Sequence, residues 1–145
     1  MHEELLVYAL LFSVGFPVGS DYAEHLNTLF LETPDNEMLL ELQWCSSDTS
    51  KTISIIRHHL YGHIIDYDVF GRFMFAKLEN IYRQEIMSID SFSQSTYAIW
   101  AQLPDSIHYE EPFYVLNHAG DALSWGDEIQ TREIFEETFR FYDNK

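Results

Sequence analysis

Apolar residues recur at every third or fourth position through most of the chain. This is the spacing that places side chains on one face of an α-helix. The residues that show it are Tyr22, Leu26, Leu29 and Phe30; Met38, Leu39 and Leu42; Ile53, Ile56 and Leu60; Val69, Phe70, Phe73, Met74, Leu78 and Ile81; and Tyr97, Trp100 and Leu103. We therefore expect a helix over each of these five segments.

Residues that commonly begin or end helices bound these segments. The expected starts are Asp21 in a capping box with Glu24, Thr33 before Pro34, Asp48 or Thr49, a residue near Asp66 and a residue near Ser91. The expected ends are Gly62 for the third helix and Pro104 for the fifth.

The last third of the chain has a different pattern. Phe113 to Leu116 is a short β-like run, and residues 117–121 have turn chemistry before a second run from Ala122 to Trp125. This predicts a small hairpin. A last helix is expected from Asp127 onward, with apolar positions at Ile134, Phe135, Thr138, Phe139 and Tyr142. The alternative is a third strand, since Phe139, Phe141 and Asp143 alternate.

Length and composition indicate a single folded domain over residues 1–145. Apolar residues make up 46% of the chain, which argues against disorder. The apolar run from Leu5 to Phe12 is too short to span a bilayer and lacks the basic start of a signal peptide, so we expect a buried segment. The predicted fold class is mainly α, a single-domain bundle of about five or six helices with a small C-terminal β-hairpin.

Negative charge is the strongest signal in the composition, with a formal net charge of −16 at pH 7. It is uneven, because residues 1–50 hold nine Asp or Glu and no Lys or Arg, and residues 105–145 hold ten acids and three bases. A protein that binds free nucleic acid or an anionic membrane would carry the opposite sign. The charge predicts a positively charged macromolecular partner, with no direct nucleic-acid and no membrane binding.

No catalytic, cofactor or metal site is predicted from motifs, and we expect that the protein is not an enzyme. His59 and His63 lie four residues apart, as a helical zinc pair would, and Asp66 or Asp68 could add a carboxylate. A second cluster to complete the ligand set is missing. Cys45 has no neighbouring cation to activate it and is expected in the core. One cysteine fits a reducing compartment, so a cytoplasmic location is expected.

The C-terminal third combines carboxylates with aromatic residues, which are the side chains that anchor protein interfaces. We expect part of this set to form the contact surface. The predicted partner-binding residues are Glu110, Glu111, Asp121, Trp125, Asp127, Glu128, Glu133 and Glu137.

The chain resembles bacterial immunity proteins, the antitoxins paired with contact-dependent growth inhibition and other polymorphic toxins. The resemblance lies in the size and acidity of the whole chain and in two segments, residues 110–114 (Glu-Glu-Pro-Phe-Tyr) and 125–128 (Trp-Gly-Asp-Glu), carried on a helical body. Such proteins do not share one fold, so the resemblance implies a function and not an architecture. It implies a cognate toxin domain that is bound in the cytoplasm and held inactive.

The charge adds to what the resemblance implies, because a nuclease needs a basic surface to hold phosphates and an acidic inhibitor can cover that surface. The expected partner is a basic toxin C-terminal domain with nuclease activity, an RNase in the first instance. Three alternatives stay open. They are an acidic nucleic-acid mimic that inhibits a DNA- or RNA-binding protein, a metal-dependent enzyme using His59 and His63, and an accessory protein that oligomerises.

Overall fold

A computed structural model describes residues 1–143 of the chain, which form eight α-helices and one 3-10 helix. The helices are α1 (His2–Ser13), α2 (Gly19–Glu32), α3 (Glu37–Trp44), α4 (Thr49–Leu60), α5 (Tyr67–Arg83), α6 (Ile89–Ala101), α7 (Val115–His118), the 3-10 helix (Asp121–Trp125) and α8 (Glu128–Phe139). The predicted mainly helical class is confirmed. The helices outnumber the five or six expected, and residues 1–143 contain no strand.

Contacts between Cα atoms divide the chain into two units. The N-terminal unit is Met1–Phe70, and the C-terminal unit begins at Gly71, so the boundary falls within α5. Each unit has its own buried side chains and is described separately below.

Helix α1 supplies much of the core of the N-terminal unit. Leu5, Val7, Tyr8, Ala9 and Leu11 are completely buried, which confirms the expected burial of this segment. Apolar residues occupy most positions around the helix, and such a helix is stable only when its neighbours cover it. Helix α1 packs against α4, α4 against α3, and α3 against α2. No helix within residues 1–143 is both long enough and apolar enough to cross a membrane.

Of the four predicted helix starts in the N-terminal unit, those at Asp48 and near Asp66 are confirmed, and those at Thr33 and Asp21 are wrong. The Asp48 carboxylate caps α4 by accepting from the Lys51 amide at 3.0 Å. Helix α3 begins at Glu37 behind an Asn36 cap, whereas Thr33 ends α2 by donating its hydroxyl to the Leu29 carbonyl. These local hydrogen bonds decide the helix boundary, and Pro34 lies in the turn before α3.

Asp21 does not form the predicted capping box. Helix α2 begins earlier, at Gly19, and its N-cap Val18 offers no side-chain acceptor. The Asp21 carboxylate instead accepts the Tyr8 hydroxyl at 2.7 Å and so joins α2 to α1. Burial of the phenol, followed by this carboxylate, raises the pKa of Tyr8.

Aromatic rings form the core of the C-terminal unit. The Phe92 ring of α6 meets the Phe135 ring of α8 edge to face at 4.9 Å, and Phe135 stacks on Phe139 at 6.2 Å. Tyr82 of α5 contacts Phe92 at 5.5 Å and Phe139 at 5.4 Å. Aromatic pairs at such separations are favourable beyond the area they bury. This cluster holds α5, α6 and α8 together.

The predicted hairpin at Phe113–Trp125 is wrong. This segment forms α7 and the 3-10 helix, and its amides bond locally, as when Leu116 donates to the Phe113 carbonyl at 3.1 Å. The buried residues there are Phe113, Leu116, Ala119 and Ala122. They recur at every third position, a helical period that buries one face, whereas a strand would bury alternate residues.

The remaining C-terminal helices match the sequence prediction with shifts at their ends. Helix α8 confirms the expected last helix, so the alternative of a third strand is wrong. Helix α6 starts at Ile89, before the expected Ser91, because the Ser88 hydroxyl caps it by accepting from the Ser91 amide. Tyr97 was expected on the apolar face but is 50% exposed, and Thr96 is buried in its place.

Gly71, inside α5, has a packing role that can be tested. An added Cβ would overlap the Tyr142 hydroxyl and lie 2.9 Å from the buried Phe113 ring. Alanine ordinarily stabilises a helix interior by roughly 0.5–1 kcal/mol relative to glycine. Because overpacking costs more than this, we expect Gly71→Ala to lower the free energy of unfolding by about 1–3 kcal/mol in urea denaturation. Gly19→Ala is the control, since its Cβ would meet nothing within 4 Å.

Candidate functional site

The eight predicted partner-binding residues all lie in the C-terminal unit, and seven of them are exposed. The exception is Asp127, which is half-buried and caps α8 by accepting from the Gln130 amide at 3.0 Å. Carboxylates are favoured at this position because the first amides of a helix have no partner within the helix. Asp127 therefore has a structural role that is separate from any contact with a partner.

Large apolar side chains are exposed where α8 begins. Trp125 ends the 3-10 helix and is 65% exposed, and Ile129 in the first turn of α8 is 72% exposed. Between them Gly126 adopts a left-handed conformation with φ of +79°, which redirects the chain from one helix into the other. We call Trp125, Asp127, Glu128 and Ile129 the α8 start surface.

The exposed face of α8 extends this surface along the helix. Ile129, Glu133 and Glu137 are spaced four apart and are exposed, so they share one face. Glu128 is paired with Arg132 at 3.6 Å. Within residues 1–143, no ion pair or side-chain hydrogen bond involves the Glu133 or Glu137 carboxylate. These two carboxylates are available to a cation from outside.

A groove of about 580 Å³ runs beside α8 and brings two predicted residues together. Glu111 and Glu137, which are far apart in sequence, both line it. The remaining lining residues are Pro112, Val115, Ile134, Thr138, Arg140 and Phe141. The groove thus combines an apolar lining with two carboxylates, and it also contains a guanidinium of its own.

The other two predicted residues lie elsewhere on this unit. Asp121, at the start of the 3-10 helix, lines a shallow pocket of about 230 Å³ together with residues of α6. Glu110 is exposed beside Tyr109, and its carbonyl accepts from the Tyr114 amide at 3.0 Å. Seven of the eight predicted residues are therefore exposed, but the structure distributes the set over several places.

One carboxylate of α8 is engaged inside the unit. Glu136 accepts the Tyr82 hydroxyl at 2.8 Å and the Arg83 guanidinium at 3.5 Å. The Tyr82 hydrogen bond, followed by Arg83, lowers the pKa of Glu136. This acid joins α8 to α5, and we do not count it among the residues available to a partner.

The histidines considered as metal ligands lie in the N-terminal unit. His59 and His63 both line a pocket of about 190 Å³, as does His2, which was not singled out from the sequence. The His59 Nε2 is 2.9 Å from the Glu41 carboxylate, and the His63 ring contacts the His2 ring at 4.7 Å. Asp66 accepts the Asp68 amide at the start of α5. Among residues 1–143, no three His, Cys, Asp or Glu side chains are placed to hold a metal ion.

Cys45 lies in the core of the N-terminal unit, as expected. It is 7% exposed, and its thiol lies near the Glu41 and Leu42 carbonyls and 3.8 Å from the Thr52 hydroxyl.

An exposed surface on α3 was not predicted from the sequence. Leu40 is 40% exposed and Trp44 is 90% exposed, and they are four residues apart on the helix. Glu37 and Glu41 are also four apart and exposed, so the face carries two apolar and two acidic side chains. The sequence did contain a sign of this surface, because positions 38, 39, 40 and 42 are all apolar. One face of a short helix cannot bury that many side chains.

Comparison with known proteins gave no match to a protein-family model, a curated protein or a solved structure.

The structural role of Asp127 can be separated from a binding role. Removing the cap leaves the first amides of α8 without a partner, so Asp127→Ala should lower the free energy of unfolding by about 0.5–2 kcal/mol. Asp127→Asn should retain most of that stability because asparagine is also a good N-cap. Glu133→Ala, on the exposed face of α8, should change stability by less than about 0.5 kcal/mol. Equal effects of Asp127→Ala and Glu133→Ala in thermal unfolding would contradict the capping role.

Proposed function

We propose that this protein is an immunity protein that binds a basic toxin domain with nuclease activity and blocks its nucleic-acid-binding surface. The observation that carries the proposal is the α8 start surface, where an exposed tryptophan and an exposed isoleucine lie among carboxylates. Interfaces of high affinity commonly combine such apolar anchors with surrounding charge.

The distribution of charge supports a basic partner. The buried polar residues among residues 1–143 are Ser or Thr, and all the Asp and Glu side chains there remain at least partly exposed. A surface with a net charge of −16 attracts positive surfaces and accelerates their association, up to roughly 10⁸–10⁹ M⁻¹s⁻¹ at low salt. The same field repels nucleic acid.

The apolar anchors support a protein as the partner. Trp125 is 65% exposed and Ile129 is 72% exposed. Full burial of a large apolar side chain stabilises a protein by about 1.5–3 kcal/mol, and these two side chains lack most of that stabilisation. A protein surface can bury both, whereas a small cation would cover neither.

A nuclease is the toxin class that the charge fits best. A nuclease must hold phosphates on a basic surface, and covering that surface prevents substrate binding without contact at the catalytic residues. In this mechanism carboxylates bring the two proteins together, and Trp125 and Ile129 slow their separation.

We expect a toxin gene adjacent to the gene of this protein, and the direct test uses the C-terminal domain that it encodes. We expect the purified domain to degrade RNA or DNA, and an equimolar amount of this protein to abolish that activity and to co-elute with the domain in size-exclusion chromatography. A bovine pancreatic ribonuclease control should stay active at the same ratio, since specificity requires more than charge. Binding that leaves nuclease activity unchanged, or no binding, would contradict the proposal.

The contact surface is tested by a matched pair of tryptophan variants. Trp125→Ala should raise the Kd for the toxin domain about 30-fold or more, the loss typical of an interface hot spot above 2 kcal/mol. Trp44→Ala makes the same truncation on the exposed face of α3 and should change the Kd little.

Charge reversal gives a second comparison within the C-terminal unit. Glu110→Lys, Glu111→Lys, Asp121→Lys and Glu128→Lys together should weaken binding more than reversal of Glu24, Glu32, Asp35 and Glu37. Asp127 is left out because it caps α8. A larger effect of Trp44→Ala and the N-terminal reversals would place the interface on the N-terminal unit.

A further inference from the structure

A continuous row of rings lies on the surface of the C-terminal unit, outside the α8 start surface. We call it the aromatic row, and its members are Tyr97, Trp100, His108, Tyr109, Tyr114 and His118. Neighbouring ring centroids are separated by 5.9, 4.4, 6.5, 5.6 and 5.1 Å for the pairs 97–100, 100–108, 100–109, 109–114 and 114–118. Tyr97, at one end of the row, is 50% exposed, and Tyr109, in its middle, is 76% exposed.

Hydrogen bonds hold the middle of the aromatic row in one arrangement. The Trp100 indole donates to the His108 carbonyl at 2.8 Å, and the His108 Nε2 donates to the Trp100 carbonyl at 3.0 Å. The two rings stack with an interplanar angle of 22°. A rigid platform of this kind loses little conformational entropy when it binds a ligand.

Tyr97 also forms part of the shallow pocket between α6 and the segment before the 3-10 helix. The pocket measures about 230 Å³ and includes Asp121, Gln94, Asn117, Leu116 and Gly120. Gly120 allows the two segments to approach, because an added Cβ would lie 2.8 Å from the Ser93 hydroxyl. The pocket therefore presents an aromatic ring, a carboxylate and two side-chain amides in a space suited to one side chain.

No Lys or Arg of residues 1–143 lines this pocket. Residues 84–131 include eight Asp or Glu and no Lys or Arg. Among residues 1–143, no ion pair or side-chain hydrogen bond involves the Asp121 carboxylate, whose residue is exposed. The groove beside α8 differs in this respect, since Arg140 lines it.

We propose that the pocket formed by Tyr97 and Asp121 binds an arginine side chain presented by a protein partner. The guanidinium stacks on the Tyr97 ring and pairs with Asp121, and the Gln94 and Asn117 carbonyl oxygens accept its remaining N–H groups. Arginine fits better than lysine because its planar group stacks on rings and donates several hydrogen bonds in one plane. Residues that flank the arginine then lie along the aromatic row.

This inference deepens the proposed function, because it names the side chain by which a basic partner is recognised. Its test does not require the toxin domain, so the two can fail separately. Failure of the arginine peptide to bind would leave the immunity proposal standing, and failure of nuclease inhibition would leave the arginine site standing.

The experiment is a titration of ¹⁵N-labelled protein with the tripeptide acetyl-Gly-Arg-Gly-amide, followed by NMR. We expect saturable shifts of the Gln94, Tyr97, Gly120 and Asp121 amides. The matched peptide with citrulline has nearly the same shape without the charge, and it should bind at least about tenfold more weakly. The lysine peptide should fall between them.

Variants assign the effect to the two side chains. Tyr97→Leu and Asp121→Asn should each raise the Kd for the arginine peptide about 2- to 30-fold. Tyr61→Leu and Asp35→Asn are the controls, since both residues are exposed in the N-terminal unit, and they should leave the Kd unchanged. All four positions are exposed, so dispersed spectra are expected for every variant. Equal shifts with arginine and citrulline, or shifts that survive both Tyr97→Leu and Asp121→Asn, would overturn the proposal.

Discussion

The structure depends on keeping a large excess of negative charge in water while burying enough apolar surface to fold. An isolated carboxylate is too costly to bury, and with 24 acids and 8 Lys or Arg most carboxylates cannot find an internal partner. The buried polar side chains in residues 1–143 are accordingly hydroxyls: Thr52, Ser93, Thr96, Thr131 and Thr138. Four of these hydroxyls, those of Thr52, Ser93, Thr96 and Thr138, donate to backbone carbonyls, Thr138 at 2.7 Å. All acids are therefore forced to the surface, where some stabilise the fold and others remain free.

The carboxylates that stabilise the fold can be recognised by their donors. Asp48 and Asp127 cap helices, Asp21 accepts the Tyr8 hydroxyl, and Glu136 joins α8 to α5 through Tyr82. Mutual repulsion among the remaining acids lowers the stability of the compact state. A basic partner would relieve that repulsion, so the charges that lower the stability of the free protein would also favour binding. This favours a function in which the protein is held in a complex.

Helical periodicity was enough to predict most helices from the sequence, because one apolar face of each had to be buried. The prediction failed at residues 113–125. Short apolar runs separated by turn residues occur both in hairpins and in short helices, so this local pattern did not distinguish them. The better guide was the three-residue spacing of Phe113, Leu116, Ala119 and Ala122. The predicted capping roles of Thr33 and Asp21 were wrong for a related reason. A side chain caps a helix start only when it accepts from an amide there, and these two side chains bond to Leu29 and Tyr8 instead. The acidity of the site was predictable from composition. Trp125 was among the predicted contact residues and is exposed, whereas the exposure of Ile129 was not predicted.

Charge alone cannot give such a protein its specificity, since any basic surface is attracted to it. Discrimination among basic partners requires groups that must be matched in shape, and a mismatched partner leaves them uncovered or unpaired. In the C-terminal unit these groups are the exposed Trp125 and Ile129 and the pocket beside Tyr97. Screening by salt weakens the contribution of surface carboxylates over a Debye length of about 8 Å, whereas apolar and stacking contacts persist. In the proposed complex, the carboxylates would therefore govern how fast a basic partner arrives, and these few apolar and aromatic side chains would govern which partner remains bound.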